Sequence, residues 1–136
     1  MADDQNSPVL SAEYLAGLFD GEGSIYPHKP GHYWRAVVAV AMADEDLMRS
    51  IHTQFGGSVG EQKRPAGYKR IWRWISYSDN ARSFLVAVLP YLRVKARQAE
   101  AALELIELSR GTNRWNRPSP RIIDARASKA MLIRWL

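Results

Sequence analysis

Glu22 is the residue of this chain best placed to do chemistry. It lies in the stretch Leu15-Ala16-Gly17-Leu18-Phe19-Asp20-Gly21-Glu22-Gly23. Leu15, Leu18 and Phe19 form an apolar stripe at helical spacing, so the stretch reads as a short helix, with Gly23 as its stop. A carboxylate at the C-terminal end of a helix stands against the helix dipole. Its placement there calls for a cation nearby. Oxygen donors suit hard divalent ions such as Mg²⁺, which take one or two carboxylates, backbone carbonyls, phosphates and water. The Gly21 carbonyl is the neighbouring donor. Such an ion supplies an activated water and charge stabilisation at a leaving oxygen, the two needs of a metal-assisted hydrolysis. Asp20 lies two residues back, about 200° around the helix, and is read as structural.

Gly17 and Gly21 sit four apart, on one face of the same helix. Each costs helix stability relative to alanine, by roughly 0.5–1 kcal/mol. A second backbone approaching closely on that face is a sufficient reason for both. An ordinary amphipathic helix ending in a turn accounts for the apolar spacing, but not for two glycines combined with two acids.

Followed by Ser24-Ile25, these residues resemble the LAGLIDADG motif of homing endonucleases. The resemblance implies that the second acid of the motif, here Glu22 where most members carry Asp, binds metal, with Gly21 beside it. The chain holds one motif and the family uses two. A symmetric homodimer is therefore implied, packed through Leu15, Gly17, Leu18 and Gly21 in an isologous interface. A second match, Leu92-Arg93-Val94-Lys95-Ala96-Arg97-Gln98-Ala99, resembles a segment of the single-motif, homodimeric branch. There the family's pocket lysine falls on Lys95, where an ammonium orients the nucleophilic water or stabilises developing charge. Arg97 would support that pocket or contact a phosphate. One departure is clear: the polar residue that the branch often carries after its second strand falls on Met42, leaving Asp44 as a substitute or the role vacant. The implied activity is Mg²⁺-dependent, site-specific cleavage of double-stranded DNA at a long, roughly palindromic target, leaving short 3′ overhangs.

The bulk numbers agree with such a protein. The chain has 136 residues, which suits one domain: a core over about residues 12–110 and a C-terminal loop and helix, 111–136, of no assigned role. It has no cysteine, which excludes disulfides and thiolate metal sites. The longest apolar run, Ala36 to Ala43, is far too short to cross a bilayer, and the acidic N-terminus lacks a signal peptide's basic start. These features predict an intracellular protein without a membrane anchor. The formal net charge is +5 and is segregated. Residues 1–24 carry five acids and no Lys or Arg, whereas residues 61–97 carry nine Lys/Arg against Glu61 and Asp79. Residues 109–136 carry seven against Asp124 alone. That pattern is the footprint of a nucleic-acid binder.

The elements that must position these residues follow the order αββαββα, with further helices behind. Residues 1–10 read as a frayed lead. Ser11 caps a helix to about Gly21, and a strand from Ser24 to about His28 is broken by Pro27, Pro30 and Gly31. Tyr33–Met42 is a second strand. Asp44 caps a helix ending near Phe55, and Ser58–Lys63 is a third strand. Arg70–Tyr77 is a fourth, and Ser78 or Asp79 caps a helix to about Leu89. Helices over about 95–110 and 120–136 follow, with a loop at 113–120. This is an α+β class chain: an antiparallel sheet, saddle-shaped by the resemblance, covered by helices on one face.

The sheet's other face would read bases, because a β-ribbon fits the major groove. Alternation places Trp34, Ala36, Val38 and Val40 in the core and Tyr33, Arg35, Val37 and Ala39 on the DNA face. Tyr26 and His28 join from the first strand, and Lys63, Lys69, Arg70 and Trp72 from the third and fourth. Arg73 is ambiguous, since alternation sets it beside Ile71 and Ile75. Two rivals remain on sequence alone: a binding-only relative acting as RNA maturase or DNA-binding regulator, and a structural helix–sheet dimer with incidental charge.

Overall fold

A computed structural model describes residues 9–112 and 115–136. The frayed lead expected for residues 1–10 lies, over 1–8, outside the described residues, as do residues 113 and 114 of the expected loop. The elements are α1 (Ala12–Glu22), β1 (Gly23–His28), β2 (Arg35–Met42), α2 (Glu45–Phe55), β3 (Ser58–Gln62), β4 (Ile71–Tyr77), α3 (Ser78–Val88), a 3₁₀ turn (Leu89–Tyr91), α4 (Ala96–Ser109) and α5 (Pro120–Trp135). The strands form one antiparallel sheet in the order β1-β2-β4-β3. Among the described residues, no helix is long and apolar enough to cross a membrane.

Local chemistry explains most boundaries. Ser11 Oγ accepts the Tyr14 N–H at 3.1 Å, and Asp44 accepts the Leu47 N–H at 3.0 Å. These are N-caps of the expected kind, and Ser119 does the same for α5. Neither Ser78 nor Asp79 caps α3. Strand β4 runs straight into that helix, Tyr77 holds the cap position without a side-chain bond, and Ser78 takes φ +54° at the bend. Pro27 does not break β1 but lies inside it, opposite Ala36. β1 is an edge strand, where a residue without an N–H is tolerated. Gly23 ends α1 in an extended conformation rather than a left-handed one. Its reason is steric: a Cβ there would sit 2.1 Å from the Phe19 ring.

The core lies between the sheet and its helices. Phe84 of α3 joins them, with its ring centroid 5.2 Å from Phe19 of α1, 5.2 Å from Phe55 of α2 and 5.0 Å from Trp74 of β4. Trp74 is fully buried, and its indole N–H donates to the Gly56 carbonyl at 2.8 Å. Gly57 follows with φ +89°, and a Cβ there would meet the Ile75 carbonyl at 2.5 Å. The segment with no assigned role is part of this core. Helix α5 packs on α4 and the edge strand β1, burying Ala130 and Ile133 and bringing Arg126 to the Trp34 carbonyl.

Strand register sorts the side chains between two faces. Val38 pairs with Ile25 and Ser76, and Val40 with Gly23 and Trp74; this face meets the helices. The opposite face presents Tyr26, Val37 and Tyr77 in one row and Ser24, Ala39 and Ile75 in the next. The bulky neighbours leave Val37 only 3% and Ala39 only 2% exposed, although neither belongs to the helix-covered core.

Candidate nucleic-acid interface and the end of the motif helix

The C-terminal end of α1 carries two carboxylates in opposite situations. Asp20 turns inward to the segment entering α4. Its carboxylate accepts the backbone N–H groups of Arg93 at 2.8 Å, Val94 at 3.1 Å and Lys95 at 3.0 Å. Burial alone would raise its pKa, but these N–H donors outweigh that and, with the Lys95 charge, hold it below the usual carboxylate value. The structural role expected for Asp20 is therefore seen, and its partners are specific. Lys95 returns the interaction: its Nζ donates to the Asp20 carbonyl at 2.8 Å. An ammonium thus occupies the C-terminal end of α1, where the dipole favours a cation.

Glu22, the last residue of α1, is exposed and has no hydrogen-bond or ion-pair partner among the described residues. With the Gly21 carbonyl beside it, the free donors at this end are one carboxylate and one carbonyl, both hard oxygens. Among the described residues no three His, Cys, Asp or Glu side chains cluster into a complete metal cage. One carboxylate with open positions fits an ion that keeps water and phosphate ligands. Arg97 is not brought to this end. It lines a shallow cleft between α4 and α5 with Glu100, Glu104, Leu132 and Leu136.

The outer face of α1 is open. Gly17 and Gly21 are exposed, and a Cβ built on either meets nothing within 4 Å. Nothing within the described chain therefore requires glycine at these positions. Leu18 is half-buried against the core, and Leu15 is fully buried in it. Leu15 must therefore be removed from the expected interface set: its stripe position faces Phe19 and the sheet, not outward.

The open sheet face keeps Tyr26, His28, Arg35 and Arg73. Arg73 is no longer ambiguous. It pairs with Ala41 and Gly60 in register, and its Nη2 donates to the Tyr26 hydroxyl at 2.8 Å. Arg35 lies over the Tyr77 ring at 3.8 Å. Lys63 and Lys69 are exposed in the β3–β4 loop, Lys69 beside Asp44, Glu45 and Asp46.

Three residues expected on the open sheet face lie elsewhere. Trp72 pairs with Met42 and Glu61 on the helix side and packs against the core margin. Arg70 precedes β4, on the same parity as Trp72, and is held by Glu61 through two bonds of 2.8 and 2.9 Å. That pairing lowers the pKa of Glu61 through the Arg70 hydrogen bond and raises that of Arg70. Tyr33 lies outside β2, where alternation does not govern it, and its ring packs under the Arg126 guanidinium at 5.3 Å. Residues missed on the open face are Ser24, Ser58, Gln62 and Tyr77. Parity counted outward from the apolar Val38–Val40 segment through the antiparallel pairs would have found them.

Comparison with known proteins agrees with the fold. The model of the LAGLIDADG-like domain family matches residues 10–88, more than half of the chain. A search of curated protein sequences finds no match. Among solved structures, the fold is similar to homing endonuclease I-CvuI in complex with its target in the presence of calcium. The TM-score is 0.73 at 21% identity, over 91% of this chain and 80% of that one. It is also similar to the archaeal intron-encoded homing endonuclease I-Vdi141I complexed with DNA, with TM-score 0.73 and 15% identity, over 91% of this chain and 82% of that one. A third is I-SmaMI bound to its uncleaved DNA target with calcium ions, with TM-score 0.63 and 22% identity, over 91% of this chain but only 45% of that one. Matched by the family model from α1 through α3, over more than half of its length, the chain belongs to the LAGLIDADG-like domain family.

Proposed function

We propose that two copies of this chain form a site-specific, divalent-metal-dependent DNA endonuclease of the homing type. One observation carries the reading: α1 presents an open glycine face that ends in an unpartnered carboxylate. A second α1 packed on Gly17 and Gly21 brings one Glu22 from each copy toward a common axis, so that each strand of a duplex meets one carboxylate. Glu22 and the Gly21 carbonyl would hold the ion, Mg²⁺ in this proposal. When bound, it supplies an activated water and stabilises the leaving oxygen. Lys95, fixed on the Asp20 carbonyl, keeps a positive charge beside that end of the helix. The open faces of the two sheets form the DNA surface, with Tyr26, His28, Arg35 and Arg73 directed at it. I-CvuI, of similar fold, has been solved with DNA in the presence of calcium or magnesium, which supports duplex DNA as the partner and a divalent ion as the cofactor.

The test is selection of cleaved duplexes from a randomised library with Mg²⁺, repeated with Glu22→Gln. Cleavage at one sequence class by the wild type, and loss of cleavage with duplex binding retained in the variant, is the expected result. Wild-type cleavage by Glu22→Gln overturns the assignment of the metal ligand.

A second reading, binding without cleavage, is favoured by one observation. The position for a polar pocket residue after β2 is Met42, half-buried on the helix side, and its neighbour Asp44 is engaged as the cap of α2. Sequence-specific binding with no nicking in any divalent ion would establish this reading instead.

A further inference from the structure

A cavity of about 510 Å³ lies at the end of the sheet remote from Glu22. β1 leaves Glu22 at Gly23 and reaches His28, which pairs with Arg35 on the cavity wall; five steps of a strand span roughly 17 Å. The volume is in the range of small-ligand sites, roughly 300–1,000 Å³. Its charge is one-sided. Arg35, Arg117 and Arg126 line it, and no carboxylate does. The nearest acid along the chain, Asp79, faces an adjoining pocket and lies 3.6 Å from Arg110.

The three guanidinium groups are not equivalent. Arg126 is 7% exposed, and its Nε and Nη2 donate to the Trp34 carbonyl at 3.2 and 2.8 Å. That fixes the group without neutralising its charge. Burial weakens its hold on the proton, an effect partly offset by Tyr33. Arg35 Nε is buried with no hydrogen-bond partner, a costly state for a donor. Arg117 is exposed and has no partner among the described residues. The hydroxyls of Ser109 and Thr112 spend their protons on the Leu105 and Ser109 carbonyls, at 2.9 and 2.7 Å. The remaining donors on the wall are Arg35, Arg117, the Ser78 and Tyr33 hydroxyls and the His32 ring, and of these only Arg35 and Arg117 carry a fixed positive charge.

We propose that this cavity is an anion site that takes a phosphate group, gripped by Arg35 and Arg117 over the fixed charge of Arg126. A guanidinium donates two parallel N–H bonds to phosphate oxygens, which suits it to this task. The phosphate has two sources. One is a phosphodiester of a duplex lying on the open sheet face, to which Arg35 also belongs; for this source the proposal rests on the DNA-binding reading above. The other is a free nucleotide, whose base and sugar the cavity also has room for.

Two measurements on the full chain separate them. In the first, binding of a random-sequence duplex is measured against salt for Arg35→Gln, Arg117→Gln and the double variant. Two arginines on one phosphate predict an affinity loss of about tenfold for each single change. The salt slope should fall by about 0.9 in each single variant, and the double variant should lose little more. In the second, inorganic phosphate and then a deoxynucleoside monophosphate are titrated into the DNA-free chain while the Arg35 Nε–H NMR signal is followed. A saturable shift that Arg117→Gln abolishes assigns the site to the free ligand. Arg117 is exposed, so its variant is expected to melt as the wild type does. Independent, multiplying losses in the double variant mean separate phosphates and overturn the shared site. Unchanged duplex binding in all variants with no shift from either small ligand overturns the proposal and leaves the DNA reading standing. A saturable shift in a chain that binds no duplex overturns the DNA reading and keeps the anion site.

Discussion

Asp20 and Glu22 are two carboxylates two residues apart with opposite roles, and the helix geometry between them is the cause. Asp20 spends its charge on three backbone N–H groups, whereas Glu22 spends none of its own. Replacing Asp20 with Asn should therefore destabilise the fold by about 1.5–2 kcal/mol at neutral pH, the lower part of the range for hydrogen bonds to a charged group, given its solvent contact. The pH dependence has a definite sign. The folded pKa of Asp20 lies below the ordinary carboxylate value, so the ionised group's contribution is full above that value. It is lost as pH falls through the ordinary value, about 3.9, toward the folded one. Urea melts of wild type and Asp20→Asn should then converge in acid. A gap that stays constant from neutral to acid pH would mean that packing, not charge, explains the loss. The arginines separate in the same way. Arg73 projects on the open face, oriented by Tyr26, while Arg70 is committed to Glu61. Arg73→Ala should relax preference at one base pair per half-site by about 1–3 kcal/mol, and Arg70→Ala should leave the specificity profile unchanged. A profile altered only by the Arg70 change would reverse this assignment.

At the scale of elements, α1 and α4 complete one another. Asp20 of α1 satisfies N–H groups at the start of α4, which lacks a side-chain cap of its own, and Lys95 places its cation at the end of α1. The outer face of α1 gives a test in which fold and assembly move in opposite directions. A methyl at Gly17 or Gly21 meets nothing within 4 Å, so Gly17→Ala should stabilise the single chain by roughly 0.5–1 kcal/mol. It should also weaken self-association, because the proposed dimer brings a second backbone there. Sedimentation together with thermal melts reads both. Tighter dimers in the alanine variant, or a wild type that stays monomeric at micromolar concentration with and without DNA, would remove the glycine interface. Much of this level was legible in the chain. The order αββαββα, the caps Ser11 and Asp44 and the core parity of β2 all follow from local chemistry, and each is present. Trp72 and Arg70 carry the aromaticity and charge that suit a DNA face, but parity counted from Trp74 decides the face. Tyr33 was misplaced because β2 starts two residues after it. The inward position of Leu15 is not legible in the motif, because family resemblance names a helix, not which of its sides the core consumes. The role of α5 was invisible because a helix that packs on an edge strand and a neighbouring helix leaves no chemical motif.

For the whole molecule, charge and symmetry act together. A dimer doubles the formal charge of +5 to +10, and the open faces of two sheets would present Arg35 and Arg73 twice, related by one axis. Phosphate contacts made by such a surface release counterions. Duplex affinity should therefore fall by roughly 10³–10⁵ between 50 and 200 mM salt if about 6–10 phosphates are neutralised. Base reading should be sparse at the middle of each half-site, because Val37 and Ala39 occupy the centre of the open face and are almost fully covered by their neighbours. Preference at such positions would come from duplex deformability rather than from contacts. The two effects can be measured apart. Substituting Arg73 should change preference at two mirrored positions of the target and leave the salt slope nearly intact, whereas substituting exposed lysines of the β3–β4 loop should flatten the slope and spare the preference. If one symmetry axis relates both faces, as proposed, every change of preference must appear in both half-sites. A specificity profile that shifts in one half-site only would exclude a symmetric pair of sheets on the duplex, whatever the affinity.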